Sequence, residues 1–332
     1  MPNWGAVLKE ISQTAPNGQH SPFDIVRRKY IAKLHQHTKR NVICYYSAFL
    51  SKPNAPFVEI SDEDKNGIML CVHRLDRSLG LDLILHTGGG DIGAVESMVF
   101  YLREMFGTDI RAIIPQLAMS AGTLLACACK EMLMGKHSAI GPVDPQIGGV
   151  PAIGLIQEFE RAFEQIKQDQ RYGILWDPIL SRITPSLLEQ CRWAIARSEQ
   201  FLGRALSEGM LSGVDEPRKS ELISNIVSHL TTHDQNRGHN RHIHYGECMD
   251  IGLVVNLLED PADRTLQDLV LTIHHTYMHT LSNTPSVKII ENHLGRAHVR
   301  MVAQQQTVLQ IPEEFKSVLF PEVPIVAEPE DG

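Results

Sequence analysis

Two features of this chain have residue types and spacing suited to chemistry: a serine ahead of a small-residue run, and a triple glycine one strand earlier. Ser120 stands in Ala118-Met119-Ser120-Ala121-Gly122, and Gly88-Gly89-Gly90 follows the apolar run Leu81 to Leu85. A serine hydroxyl becomes a nucleophile only with a base within hydrogen-bond reach. Consecutive glycines let backbone amides approach a ligand with no Cβ in the way. The amide of Ala121, with one from Gly89 or Gly90, would stabilise an oxyanion formed at Ser120, which is acyl-transfer chemistry. The competing reading makes Ser120 a helix cap and the glycines an ordinary strand-to-helix turn.

The elements that must position these residues follow from periodicity. The strand Leu81 to Leu85 runs through the glycines into a helical pattern, Ile92, Val95, Met98, Val99, Leu102 and Met105. A second strand, Ile110 to Ile114, then delivers Ser120 to a helix of small and apolar residues. Gly88 to Gly93 reads GGGDIG, which formally satisfies the dinucleotide fingerprint. That fingerprint wants an acidic residue about twenty positions on, at the end of the next strand. The next strand ends instead in Ile114-Pro115-Gln116, which sets the nucleotide reading aside. Further strands are expected at 41–49 and 132–134, with a helix begun by Ser61 and Asp64 and continued to Gly80. Strands alternating with helices between 41 and 150 imply a mainly parallel sheet covered on both faces.

The order of apolar strand, GGG turn, helix, strand and Ala-Met-Ser-Ala-Gly is followed by Gly141-Pro142-Val143-Asp144-Pro145-Gln146. Together these motifs resemble the Clp-type serine peptidase fold, and within it the serine dehydrogenase proteinases, related to the signal peptide peptidase A class. The resemblance is dense from about Leu81 to Pro151 and returns around Thr265 to Asp268 and Lys288 to Asn292. It implies an α/β, Clp/crotonase-like fold of ββα units with a mainly parallel sheet, plus helical and C-terminal extensions. The implied organisation is an N-terminal helical arm (1–40), a catalytic domain (41–210), a C-terminal α+β extension (211–310) and a loose acidic, proline-rich tail (311–332). The implied activity is peptide-bond hydrolysis with Ser120 as nucleophile and Gly89, Gly90 and Ala121 as the oxyanion hole. The implied partners are a peptide or protein substrate and further copies of the chain, since related folds form rings or stacked trimers.

The general base stays open. Clp-type peptidases use a histidine after the next strand and the signal peptide peptidase class a lysine. Here that place reads Ser138-Ala139-Ile140-Gly141-Pro142. His137 stands a few residues early, and the first lysine beyond the loop is Lys167, flanked by polar residues. A histidine titrates near neutrality, whereas a lysine must be depressed by burial before it accepts a proton. Asp144 is either functional or a turn-forming aspartate between two prolines. The histidine-rich stretch His229, His233, His239, His242 and His244 offers another base, because triads are recognised by geometry and not by chain order. His275 and His279 share a helix face, but no glutamate base stands between them, so packing is preferred to a metal site. No metal or cofactor is expected.

Composition narrows the class. The 332 residues are 43% hydrophobic and 21% charged, as in an ordinary globular protein. A net charge of −8 argues against a general nucleic-acid grip. The basic stretch Arg27-Arg28-Lys29 is expected on the solvated face of a packing helix, with an anionic partner surface as the rival reading. Six scattered cysteines are expected as buried free thiols. No apolar run reaches the ~20 residues a membrane span needs, so a soluble cytoplasmic protein is expected, although related peptidases are often membrane-associated. Two rival functions share the motifs: a catalytically degenerate peptide-binding protein of the same fold, and a crotonase-like acyl-CoA enzyme with an acidic base.

Overall fold

A computed structural model of the protein describes residues 3–18, 20–181, 183–231 and 238–302. Helices α1 (Trp4–Gln13) and α2 (Pro22–Thr38) open the chain. Ser21 and Asp24 form a capping box at the start of α2, with Pro22 in its first turn. Strand β1 (Asn41–Ser47), helix α3 (Asp64–Val72), strand β2 (Leu81–His86), helix α4 (Ile92–Phe106) and strand β3 (Ile110–Ile114) follow. Next come β4 (Leu117–Ala118), α5 (Ala121–Cys127), β5 (Glu131–Met134), β6 (Ala139–Ile140), β7 (Gln146–Ile147) and β8 (Val150–Pro151). A helical stretch holds α6 (Ala152–Gln168), α7 (Gly173–Leu180), α8 (Pro185–Glu208) and α9 (Arg218–Thr231). The described chain then gives β9 (Ile243–His244), α10 (Tyr245–Asp250), β10 (Val255–Leu257), α11 (Arg264–Asn283), β11 (Ser286–Asn292) and β12 (Ala297–Met301).

A seven-stranded sheet in the order β10-β5-β3-β2-β1-β11-β12 organises these elements. The five strands from β10 to β1 are parallel, whereas β11 runs antiparallel to β1 and β12 antiparallel to β11. Side chains alternate across a strand, so each strand feeds two cores. Ile43, Tyr45, Leu81, Leu83, Leu85, Ala112 and Ile114 enter one core, together with residues of α3, α4, α5 and α8. Val42, Cys44, Tyr46, Ile84 and Ile113 enter the other, under α2 and α11. Burial on both faces explains why these strands read as continuous apolar runs.

Several elements depart from the sequence expectation, each for a local reason. The helix expected to reach Gly80 stops at Val72, and Arg74 turns left-handed at φ 64°. Strand β11 carries Lys288 and Glu291 in a fully buried row, charges that hide a core strand from composition. The basic stretch of α2 is not wholly solvated. Arg27 is completely buried, with its Nε donating to Glu291 Oε2 at 2.6 Å. All six cysteines are buried and unpaired. His233 and the segment 311–332 lie outside the described residues.

Candidate active site

Ser120 occupies a tight turn between β4 and α5, with φ 51° and ψ −117°. A side chain is seldom held in that backbone region, and such strain persists only where the surroundings over-determine it. Here Thr87, directly after β2, accepts from Met119 N at 3.0 Å and donates its own N–H to Leu117 O at 3.1 Å. On the far side, Thr123 Oγ1 accepts from Gly141 N at 3.0 Å, tying α5 to the loop that carries Asp144. The serine is therefore pinned from both neighbouring segments. A sharp strand-to-helix turn of this kind is able to present a hydroxyl for nucleophilic attack.

The glycine turn is packed against that serine. A Cβ built on Gly89 would lie 2.7 Å from Ser120 Cβ and 2.9 Å from Met119 O, at a φ of +106°. Gly90 meets a different wall, since its Cβ would fall 2.3 Å from Ile60 N. Residue 60 brackets Gly90, donating Ile60 N to Gly89 O at 2.8 Å and accepting Asp91 N at 2.9 Å. The two glycine amides have different fates. Gly89 N donates to Thr87 Oγ1 at 3.1 Å, which removes it from the candidate oxyanion donors. The amides of Gly90 and Ala121 have no hydrogen-bond acceptor among the described residues. That leaves Gly90, with Ala121, as the pair free to receive a developing oxyanion.

A cleft of ≈ 880 Å³ opens over this turn, lined among others by Gly88, Gly89, Gly90, Ser120, Asp144 and His239. Asp144 is buried, and its Oδ1 lies 2.8 Å from His239 Nδ1. Its second oxygen accepts Gln146 Nε2 at 2.9 Å. The carboxylate thus selects the tautomer with the proton on Nδ1 and leaves Nε2 of His239 as the basic nitrogen. Asp144 itself is held by its loop: Val143 N donates to Leu230 O at 2.9 Å, and Ser198 Oγ donates to Val143 O at 2.9 Å. A hydroxyl, an imidazole and a buried carboxylate therefore line one cleft, from three well-separated parts of the chain. That constellation can perform nucleophilic acyl transfer with general-base assistance.

Neither of the individually named candidate bases lines this cleft. Lys167 is exposed near the end of α6 and borders a separate hollow with Phe159, Phe163 and Leu180. His137 turns its Nε2 to Pro115 O at 2.9 Å, with Glu259 on its other side. His239 was present in the sequence only as one of a cluster, and its pairing with Asp144 spans 95 positions. The histidines of α11 are packing residues: Trp4 lies 5.2 Å from the His275 ring and 4.1 Å from the His279 ring. Among the described residues no group of three or more metal-ligating side chains converges.

One further histidine lies close to the glycine turn in sequence. His86 ends β2, immediately before Thr87, and is completely buried with neither ring nitrogen hydrogen-bonded. Burial lowers its pKa to about 3, so it is neutral at physiological pH. Its ring lies 4.9 Å from that of Phe49, a residue that also lines the cleft.

Residues 11–184 match the family described as ClpP-like SDH-type serine proteinases. The matched segment includes the glycine turn, Ser120 and Asp144 and ends before His239. Two curated relatives come from Methanocaldococcus jannaschii. The uncharacterized protein MJ1495 is 30% identical over 186 residues, 56% of this chain and 56% of that protein. The uncharacterized protein MJ0137 is 29% identical over 161 residues, 47% of this chain and 55% of that protein. The chain thus spans about half the length of the curated relatives it matches. The family match covers more than half of the chain, which belongs to the ClpP-like SDH-type serine proteinases.

Proposed function

We propose that this member of the ClpP-like SDH-type serine proteinases hydrolyses peptide bonds, with Ser120 as nucleophile and His239 as its base. The observation that carries the reading is the 2.8 Å contact between Asp144 Oδ1 and His239 Nδ1 in the cleft that Ser120 lines. In this scheme His239 Nε2 takes the Ser120 proton as Oγ attacks the scissile carbonyl. The tetrahedral oxyanion is received by the amides of Gly90 and Ala121, and Asp144 stabilises the imidazolium. His239 then passes the proton to the leaving amine, and a water activated by the same nitrogen releases the acyl group from Ser120. Gly89 contributes by having no side chain, which lets the turn lie against Ser120.

A fluorophosphonate probe tests the scheme directly. Labelling of the wild type that is lost in Ser120→Ala, and strongly slowed in His239→Ala, is the expected result. Absence of labelling in the folded wild type would sink it and favour a peptide-binding protein without turnover. Activity that survives Ser120→Ala would favour acyl-CoA chemistry instead.

Self-assembly belongs to the same proposal. The α6–α8 region exposes Phe163, Ile174, Leu175 and Trp193, at 60–81% of their surfaces. We take these exposed apolar side chains as the surface through which copies of the chain meet. Light scattering should give a mass that is a multiple of the 37.2 kDa chain. No described helix is long and apolar enough to cross a membrane.

A further inference from the structure

Lys288 is fully buried on β11 and is not among the residues that line the cleft. Its Nζ donates to both oxygens of Asp64 at 2.8 Å and to the Glu59 carbonyl at 2.6 Å. Asp64, also buried, is fixed by Tyr45 Oη at 2.8 Å and by Ser61 N at 2.9 Å. The ammonium is thereby held against the backbone of residue 59. The carbonyl it grips belongs to the peptide unit whose other end is the Ile60 N–H. That N–H donates to Gly89 O at 2.8 Å. Gly89 O in turn belongs to the peptide unit whose other end is the Gly90 N–H.

We infer that Lys288 is a positioning residue for catalysis, acting on the oxyanion hole through a relay of two peptide groups. The relay runs from the Lys288 ammonium through the 59–60 and 89–90 peptides to the Gly90 amide. Each carbonyl that accepts a hydrogen bond makes its own N–H a stronger donor, by about 10–30% per bond. Because Asp64 balances the charge of the ammonium, its effect enters the relay through the direct hydrogen bond to Glu59 O. The relay also sets direction: a segment anchored at Lys288 and Asp64 holds the Gly90 amide in place before an oxyanion forms. Preorganisation of this kind matters because reorientation during the reaction would cost rate. The inference rests on the proposed serine hydrolase reading and extends it to a residue outside the cleft.

The sequence conceals the role. Lys288 lies 168 positions after Ser120 and outside the matched family segment. A lysine in a strand reads as a solvent-facing residue until the sheet places it beside Asp64.

The test compares wild type with Lys288→Met, Lys288→Gln and Lys288→Arg, using a fluorophosphonate as probe. The concentration dependence of labelling separates the limiting rate from half-saturation. Loss of a whole oxyanion donor costs about 10²–10³-fold, so weakening one of two donors predicts about a tenfold fall in the limiting rate for Lys288→Met. Half-saturation should stay unchanged, Lys288→Gln should lie between, and Lys288→Arg should recover most of the rate. Should Lys288→Met fail to fold around an unpaired Asp64, Lys288→Met with Asp64→Asn removes both charges together.

A second readout is the Gly90 amide proton in glycine-labelled protein, observed by NMR without any probe. It should move upfield in the methionine variant and return in the arginine variant. A folded variant without the ammonium that labels at the wild-type rate would overturn the relay, as would an unchanged Gly90 shift. Failure of the wild type to label at Ser120 would count against the hydrolase reading alone, because the amide shift is read in unreacted protein.

Discussion

Gly89→Ala is the sharpest test of how the glycine turn serves Ser120. The new Cβ would sit 2.7 Å from Ser120 Cβ, where ordinary contact begins at 3.4 Å, so the serine must retreat by about 0.7 Å. Its other close neighbours are Met119 O and Ala121 N, both backbone, so no flexible side chain can absorb the crowding. The φ of +106° adds backbone strain of about 1–3 kcal/mol. A displacement near 1 Å at a reacting atom costs about 10²-fold in rate. The expected outcome is therefore about a hundredfold slower fluorophosphonate labelling. The loss in stability should be much milder: unfolding entropy of about 2 cal/mol/K per residue turns 3 kcal/mol into about 4 °C for a chain of this size. Gly107→Ala is the matched control, since Gly107 has φ 60° and ψ −137° with nothing within 4 Å of a built Cβ. It should lose comparable stability and no activity. Wild-type labelling by folded Gly89→Ala would refute the argument that the turn must close on Ser120.

Other expectations follow from the same geometry. Asp144→Asn should lower turnover by about 10⁴-fold, because the amide favours the wrong imidazole tautomer; steady-state assays and probe labelling both report it. Lys167→Ala and His137→Ala should each leave labelling within about twofold of wild type, since neither side chain lines the cleft and exposed substitutions perturb little; a loss above tenfold in either would restore it as a candidate base. Acid should destabilise the protein through His86, whose folded pKa of about 3 lies below its unfolded value. The unfolded state then binds more protons between the unfolded value of about 6.5 and about 3, so stability is lost as pH falls across that window, by up to about 1.4 kcal/mol per unit. His293, lowered to about 4 first by burial and then by His35, adds the same sign with less weight because it is partly exposed. Denaturant midpoints from pH 7 to pH 4 should show this slope, and His86→Leu should flatten it; an unchanged slope in that variant would refute the assignment.

The legible parts of the fold were those governed by local periodicity. Strand β3 falls at Ile110–Ile114, where the apolar run places it, and α4 follows the spacing from Ile92 to Met105. The glycine turn and Ser120 stood out through their combination with Gly141-Pro142-Val143-Asp144-Pro145-Gln146, since each pattern alone also fits an ordinary turn or cap. Strand β11 was obscure because Lys288 and Glu291 mask a core strand, and only partners on α3 and α2 make their burial tolerable. The division of labour between Gly89 and Gly90 was also invisible. It depends on Thr87 Oγ1 capturing one amide and on residue 60 bracketing the other.

The amino-acid sequence by itself determined the α/β class, the family and the segment carrying the glycine turn and Ser120, because these rest on short-range pattern and steric demand. Only the tertiary structure showed which of the histidines lines the same cleft as that segment. Asp144 and His239 meet across 95 positions, and Lys288 reaches the turn through Glu59 from 229 positions away. Such contacts are set by how the sheet orders its strands and where its loops return, and chain order does not encode that distance. The proposed nucleophile was therefore readable from its neighbours in sequence, whereas the base proposed for it had to be read from its neighbours in space.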